Sequence, residues 1–153
     1  MEERSLKFVA EAVGQASSLS DRQDACPTIK NVCIDSRQAK AGDLFFAIRG
    51  EKFDGHDFLD EVAEKNVAAI VAQASRLREP KFTGKMPVPL IAVDDTRIAL
   101  GKLAAAYRKD FDLPVICVGG SNGKTTVKEL LASVLRQKFS TLWSEASFNN
   151  DIG

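Results

Sequence analysis

The chain contains few of the side chains from which disulfide frameworks and metal sites are built. Its 153 residues include three cysteines and one histidine. Cys26, Cys33 and Cys117 are odd in number and lack C-x-x-C spacing, which disfavours both disulfides and a zinc site. We expect all three to be structural. His56 lies in an acidic turn, and we expect it to form hydrogen bonds there rather than to bind a metal or act as a catalytic base.

The sequence also lacks an excess of charge and any long apolar run. Lysine and arginine together number 21, and so do aspartate and glutamate. A balanced charge leaves no electrostatic footprint for nucleic acid or an anionic membrane, so we expect neither as a partner. No window approaches the ~18 apolar residues of a membrane span, and the acidic start does not resemble a signal peptide. We expect a cytoplasmic monomer.

The strongest functional signal is a glycine-rich segment between an apolar run at 114–118 and a helical pattern. Residues 119–126 read Gly-Gly-Ser-Asn-Gly-Lys-Thr-Thr. Glycines let backbone N–H groups approach phosphate oxygens, and the following helix points its positive dipole end at the same anion. Lys124 would reach the β- and γ-phosphates as the catalytic cation, and Thr125 would hold Mg²⁺.

The segment departs from the general nucleotide loop at one position. The pattern G-x-x-x-x-G-K-[ST] requires glycine where this chain has Val118. An ordinary glycine-rich turn is the alternative interpretation. The order of strand, loop and helix favours the phosphate-binding one.

Hydrophobic periodicity predicts an α/β fold of two parts. In residues 1–86 we predict a helix before Gly14, strands at 29–34 and 43–48, a helix at 57–66 and a strand at 67–72. A proline-rich linker at 75–89 separates this small domain from the start of a phosphate-loop domain with a parallel sheet, residues 87–153.

For the second part we predict strands at 90–93, 114–118 and 140–143, a helix capped by Asp95, and a helix after the loop. Its buried face would comprise Val127, Leu130, Leu131, Val134 and Leu135. This content is too small to cover both faces of a parallel sheet, so we expect a truncated chain.

Three polar turns form a second group of candidate residues. They are Asp-Ser-Arg at 35–37, the end of the segment Gly-Asp-Leu-Phe-Phe-Ala-Ile-Arg-Gly at 42–50, and Phe-Asp-Gly-His at 53–56. Such turns expose hydroxyl, guanidinium and N–H groups suited to a sugar, a pyrophosphate or a uracil ring. They are also common turn formers, so ordinary loop chemistry stays open as the alternative.

The order of these pieces, ending in Phe-Asn-Asn-Asp-Ile-Gly at 148–153, resembles the Mur ligases of peptidoglycan synthesis. The resemblance spans nearly the whole chain. It is strongest to the branch that joins D-alanyl-D-alanine to UDP-N-acetylmuramoyl-tripeptide, because of the Asp-Gly-His turn, the Asn-Asn-x-Ile-Gly segment, and Thr125, Thr126 and Lys128. The branch that adds the third-position amino acid is the nearest alternative. Gly119 stands where the family usually has threonine or serine.

The resemblance implies a three-domain ligase, with this chain holding a UDP-substrate domain and the beginning of an ATP-binding domain. The implied ATP and Mg²⁺ contacts are Gly120, Ser121, Asn122, Gly123, Lys124, Thr125, Thr126, Asn149 and Asn150, with Thr125 at the metal. The implied substrate contacts are Ile34, Ser36, Arg49, Gly50, Glu51, Lys52, Phe53, Asp54 and Gly55.

The implied reaction activates a substrate carboxylate as an acyl phosphate, which the amine of D-alanyl-D-alanine then attacks. Phosphoryl transfer needs chiefly positioning and charge neutralisation, which Lys124, Mg²⁺ and the loop amides would provide. Two rivals stay open: an unrelated phosphate-loop NTPase or kinase, and a non-catalytic binding module. The groups that complete the family's site would lie beyond Gly153, so we expect this chain alone to be inactive.

Overall fold

The structure is a computed structural model that describes residues 3–14, 27–50, 52–78 and 88–144. The chain divides into two compact units, Met1–Arg108 and Lys109–Gly153. Each unit is described by itself.

The first unit is an α/β arrangement with a four-stranded parallel sheet in the order β3-β4-β5-β6. Two further strands, β1 and β2, form a short antiparallel pair. The strands are β1 (Arg4–Ser5), β2 (Thr28–Ile29), β3 (Val32–Cys33), β4 (Leu44–Phe46), β5 (Ala69–Gln73) and β6 (Leu90–Val93). The helices are α1 (Leu6–Val13), α2 (Leu59–Glu64) and α3 (Thr96–Arg108), with 3-10 turns at Ser36–Gln38, Gly55–Phe58 and Arg76–Arg78.

Both faces of the sheet are covered by helices. Leu44 and Phe46 of β4 point into one apolar cluster, which also contains the inner faces of α1 and α3. Phe45 points the opposite way, into a second cluster with the inner face of α2. Successive side chains of a strand alternate between faces, so a strand of three large apolar residues serves both clusters.

Most predicted elements of this unit are confirmed, with shorter bounds for several. The helix before Gly14 and the strand at 90–93 are found as predicted, and Asp95 caps α3, since its Oδ1 accepts from the N–H groups of Arg97 and Ile98 at 2.8 and 2.9 Å. The strand expected at 29–34 is divided between β2 and β3, which belong to different sheets.

The boundary between the units differs from the expected division at residue 86. Strand β6 pairs with β5 from Ile70 to Gln73, and the first compact unit extends to Arg108. The proline-rich composition at 75–89 therefore marks a connection between neighbouring strands of one sheet. Of that connection, residues 79–87 lie outside the described residues.

In the second unit the structure has one helix, α4 (Lys124–Leu135), among residues 109–144. The strands predicted at 114–118 and 140–143 are not present there. The predicted burial on α4 is also wrong, because Val127, Leu130 and Val134 are exposed and Leu131 and Leu135 are half-buried. A strand needs a hydrogen-bonded neighbour, and an apolar helix face needs a packed sheet or helix to cover it. Among the described residues of this unit, neither is present.

The predicted fold class is confirmed as mixed α/β with a parallel sheet. Within the described ranges, none of the helices is long and apolar enough to cross a membrane.

Candidate functional site

The glycine-rich loop leads directly into α4. Gly123 occupies the position before the helix with φ of 76°, in the left-handed region that glycine adopts at little cost. Its carbonyl accepts the first helical hydrogen bond, from the Val127 N–H at 2.9 Å. The free N–H groups of the first turn therefore face the loop, as they must to bind an anion.

Lys124 turns back over this loop. Its Nζ donates to the carbonyl oxygens of Gly120 and Ser121 at 2.7 and 3.2 Å. The ammonium group is thus held at the N-terminal end of a 12-residue helix, where a cation and a helix dipole attract the same anion. This donor set fits a phosphate group, since both the lysine and the amides can donate to its oxygens.

Two further predicted nucleotide residues follow this cation directly in the chain. Thr125 and Thr126 lie exposed in the first turn of α4. A Cβ added at Gly119 would meet no atom within 4 Å, so the backbone there does not exclude the threonine or serine that the family usually has. Asn149 and Asn150 lie outside the described residues.

In the first unit, the predicted substrate residues follow neighbouring strands. Ile34 and Ser36 come after β3, and the 49–55 turn comes after β4. Arg76, which was not predicted as a site residue, comes after β5. Carboxyl ends of parallel strands meet at one edge of a sheet, which is where open α/β sheets bind ligands. The topology therefore brings both predicted substrate segments to one edge.

The turn containing Ser36 is built around Asp35. The carboxylate of Asp35 accepts from the Arg37 N–H at 3.0 Å and from the Arg37 guanidinium at 2.9 and 2.7 Å. These hydrogen bonds from Arg37 lower the pKa of Asp35 to about 2. From the C-terminal cap of α2, Lys65 Nζ donates to the Ser36 carbonyl at 2.7 Å. The backbone of the turn is thereby held from two sides.

Cys33, just before this turn, has a structural role. Its Sγ donates to the Asp35 carbonyl at 3.1 Å, and burial raises the pKa of the thiol. Cys117, in contrast, is exposed, because the strand that was predicted to bury it is not formed.

The 49–55 turn closes on itself through backbone hydrogen bonds. The Gly50 N–H donates to the Phe53 carbonyl, and the Gly55 N–H to the Ile48 carbonyl, both at 2.9 Å. A Cβ at Gly55 would lie 2.8 Å from the Ile48 nitrogen, closer than real Cβ contacts come. Glycine is therefore required at 55 by close backbone approach. Glu51 lies outside the described residues.

Asp54 anchors this turn from within. Its Oδ1 accepts from the His56 N–H at 3.0 Å and lies 2.6 Å from His56 Nδ1, while its Oδ2 accepts from Arg76 Nη2 at 2.7 Å. Burial raises the pKa of the Asp54 carboxyl, but the hydrogen bonds from His56 and Arg76 outweigh burial and leave it below its ordinary value. Both carboxylate oxygens thus have partners within the protein.

Several side chains of the turn are exposed to solvent. Arg49, Lys52 and Phe53 are exposed, Phe53 to 74%, and Ile34 on the neighbouring segment is 45% exposed. Two cations and two apolar surfaces at one sheet edge can contact a diphosphate and a flat base together. Among the residues that the structure describes, no three His, Cys, Asp or Glu side chains gather as a metal site.

Sequence reasoning missed two residues that hold these turns. Arg76 was assigned to a solvated linker, yet it binds Asp54, 22 positions earlier. Lys65 received no role, yet it binds the Ser36 carbonyl, 29 positions earlier. No local pattern reveals such contacts, because each joins loops that only the sheet brings together.

Comparison with family models places both parts of the chain in one family. Residues 28–108 match the model described as Mur ligase family, catalytic domain, and residues 118–153 match the Mur ligase middle domain. The UDP-N-acetylmuramoyl-tripeptide--D-alanyl-D-alanine ligase of Synechocystis sp. is 42% identical over 125 residues, covering 82% of this chain and 26% of that protein. The Bacillus subtilis ligase of the same name is 37% identical over 153 residues, covering 100% of this chain and 32% of the relative.

A ligase of another name is also similar. The UDP-N-acetylmuramoyl-L-alanyl-D-glutamate--2,6-diaminopimelate ligase of Aquifex aeolicus is 40% identical over 109 residues, covering 70% of this chain and 21% of that protein. The chain therefore spans between a fifth and a third of the length of these relatives.

Solved structures agree with these relatives. A crystal structure of MurF from Acinetobacter baumannii superposes with a TM-score of 0.80 at 32% identity, covering 99% of this chain and 32% of that one. MurF ligase from Thermotoga maritima in complex with ADP gives a TM-score of 0.69 at 31% identity, covering 81% and 27%.

Proposed function

Because this chain belongs to the Mur ligase family, we propose that it is the N-terminal part of an ATP-dependent amide ligase. The enzyme joins D-alanyl-D-alanine to UDP-N-acetylmuramoyl-tripeptide in peptidoglycan synthesis. It acts in the cytoplasm as a monomer, and the 153-residue chain alone does not catalyse ligation.

One observation carries this proposal. The similarity to a ligase of this name runs through all 153 residues, and so includes both the sheet edge of the first unit and the phosphate loop of the second. An unrelated phosphate-loop NTPase would be similar to this chain only in the phosphate loop. A substrate domain and a nucleotide loop in the same order support a shared reaction.

The phosphate loop is assigned to ATP and Mg²⁺. Bound there, the nucleotide supplies the phosphoryl group that makes a carboxylate reactive toward an amine. Lys124, whose Nζ donates to the Gly120 and Ser121 carbonyls, would donate to phosphate oxygens instead and neutralise their charge. The Thr125 hydroxyl is the ligand offered to Mg²⁺. The ADP complex of a similar enzyme supports the nucleotide assignment.

The sheet edge of the first unit is assigned to the UDP end of the substrate. Arg49 and Lys52 are exposed cations suited to the diphosphate, and Phe53 presents an exposed aromatic face to the uracil. Ile34, Ser36 and the backbone of the turn complete the contacts. Asp54 and Gly55 contribute by shaping the turn, since their own groups are engaged or enclosed within it.

A second candidate is the ligase that adds 2,6-diaminopimelate, because a relative of that name is 40% identical. The choice of amine separates the two. In phosphate-release assays of the full-length enzyme, we expect turnover with UDP-N-acetylmuramoyl-tripeptide and D-alanyl-D-alanine, and mass spectrometry should detect the amide product. Turnover with UDP-N-acetylmuramoyl-L-alanyl-D-glutamate and diaminopimelate instead would establish the second candidate.

A further inference from the structure

His56 is enclosed between two elements of the first unit. Its side chain is only 8% exposed, and both ring nitrogens have partners. Nδ1 lies 2.6 Å from Asp54 Oδ1, and Nε2 accepts a hydrogen bond from the Gln73 N–H at 2.9 Å. A backbone N–H can only donate, so Nε2 must be unprotonated and the ring proton must sit on Nδ1. The contacts therefore fix a neutral imidazole in one tautomer.

This imidazole connects the 49–55 turn to the last residue of β5. Asp54 belongs to the turn, and Gln73 ends the strand. The charged groups around the ring are the Asp54 carboxylate and, on its other oxygen, the guanidinium of Arg76. Within the turn, the Gly50 N–H donates to the Phe53 carbonyl and the Gly55 N–H to the Ile48 carbonyl. The ring of His56 thus connects the turn to the sheet through hydrogen bonds on both of its nitrogens.

We propose that His56 is a positioning residue that fixes the 49–55 turn, through its Nδ1–H tautomer, for binding the UDP end of the substrate. The inference rests on the proposed function. It follows because Arg49, Lys52 and Phe53 lie on the turn that His56 holds, while His56 itself is too enclosed to touch a ligand. Loss of this connection lets the turn sample other conformations, and binding must then restore the competent one. The loop that holds Lys124 is not part of this connection.

Kinetics of the full-length enzyme test the inference. We expect His56→Ala to raise KM for the UDP substrate by about tenfold, the effect of losing about one hydrogen bond, with kcat within about twofold and KM for ATP unchanged. His56→Asn can still donate near the Nδ1 position, and His56→Gln can still accept near the Nε2 position, so each should restore part of the affinity. Asp57→Asn is the matched control, because Asp57 is exposed on the same 3-10 turn and should leave both constants unchanged.

A spectroscopic measurement keeps the test independent of activity. ¹⁵N NMR of the single histidine in the 153-residue chain should identify a neutral Nδ1–H ring near neutral pH. An Nε2–H ring, or an alanine variant that lowers kcat and leaves KM unchanged, would overturn the inference. A wild-type enzyme that ligates neither amine would instead overturn the proposed function, whatever tautomer is found.

Discussion

The two units of this chain differ in how completely they bury their apolar residues. The largest fully buried side chains all belong to the first unit: Phe45, Phe46, Ile29, Leu44, Ile70, Ile91, Val9, Val62 and Val71. In the second unit, the only buried residue among 109–144 is Ala132. Val115, Ile116, Leu130 and Val134 are each more than half exposed.

The difference separates what a segment can form by itself from what needs a neighbour. Helix α4 satisfies its own backbone hydrogen bonds, so it forms as its sequence predicts. The apolar run at 114–118 would need an adjacent strand, and none of the described residues of its unit supplies one. In the second unit, therefore, the helix after the phosphate loop is formed but the predicted strand before it is not. In the first unit, both the strands and the helices that cover them are formed.

The comparison predicts that the second unit contributes to activity more than to stability. Lys124→Ala should lower ligation by the full-length enzyme by about 10³-fold, the range for loss of a main electrostatic group. Its urea midpoint should stay within error, since Lys124 is exposed. Binding of the UDP substrate, followed by calorimetry, should survive. Near-normal turnover would remove Lys124 from the site.

Matched leucine substitutions measure the difference in packing. Leu44 is 0% exposed and Leu130 is 62% exposed. In the 153-residue chain, Leu44→Ala should cost about 2–5 kcal/mol of unfolding free energy, and Leu130→Ala should change it by less than about 0.5 kcal/mol. Urea titration followed by amide NMR signals of each unit is the measurement. Equal costs would mean that α4 is packed as well as β4.

Gly55 in the first unit and Gly119 in the second differ in the space that each leaves for a Cβ. A Cβ at Gly55 would lie 2.8 Å from the Ile48 nitrogen, whereas a Cβ at Gly119 meets nothing within 4 Å. We expect Gly55→Ala to destabilise the first unit by about 1–3 kcal/mol, and Gly119→Ala to leave both units unchanged in the same titrations. A neutral Gly55→Ala variant would show that the turn has room to relax.

The sequence predicted features that depend on nearby residues better than features that depend on distant ones. Local signals located α1, the exact strand 90–93 and the cap at Asp95, because periodicity and capping depend on nearby residues. The glycine-rich loop and its helix were found for the same reason. The partner of strand β6 was not, since pairing with β5 is a long-range choice that a proline-rich connection obscures. The roles of Arg76 and Lys65 were also not predicted, because each binds a residue far away in the sequence.

The smallest expected effect is the titration of Asp35. Hydrogen bonds from Arg37 lower its pKa from 3.8 to about 2. A depressed folded-state pKa stabilises the protein above the unfolded value, and this contribution is lost as the pH falls from about 4 toward 2. The exposed pair makes the contribution small. The ¹³C shift of the carboxyl should titrate near 2, and Arg37→Ala should move it toward 3.8. A wild-type midpoint near 3.8 would contradict the pairing.

Hydrogen exchange of the 153-residue chain tests the contrast between the units most directly. Amides of β4 and β5 exchange only when a sheet buried on both faces opens, whereas those of α4 need only local fraying of a largely exposed helix. We predict strong protection in Leu44–Phe46 and Ala69–Gln73 and much weaker protection in Lys124–Leu135. Equal protection in all three segments would contradict the account, because it would mean that the second unit has a complete core of its own.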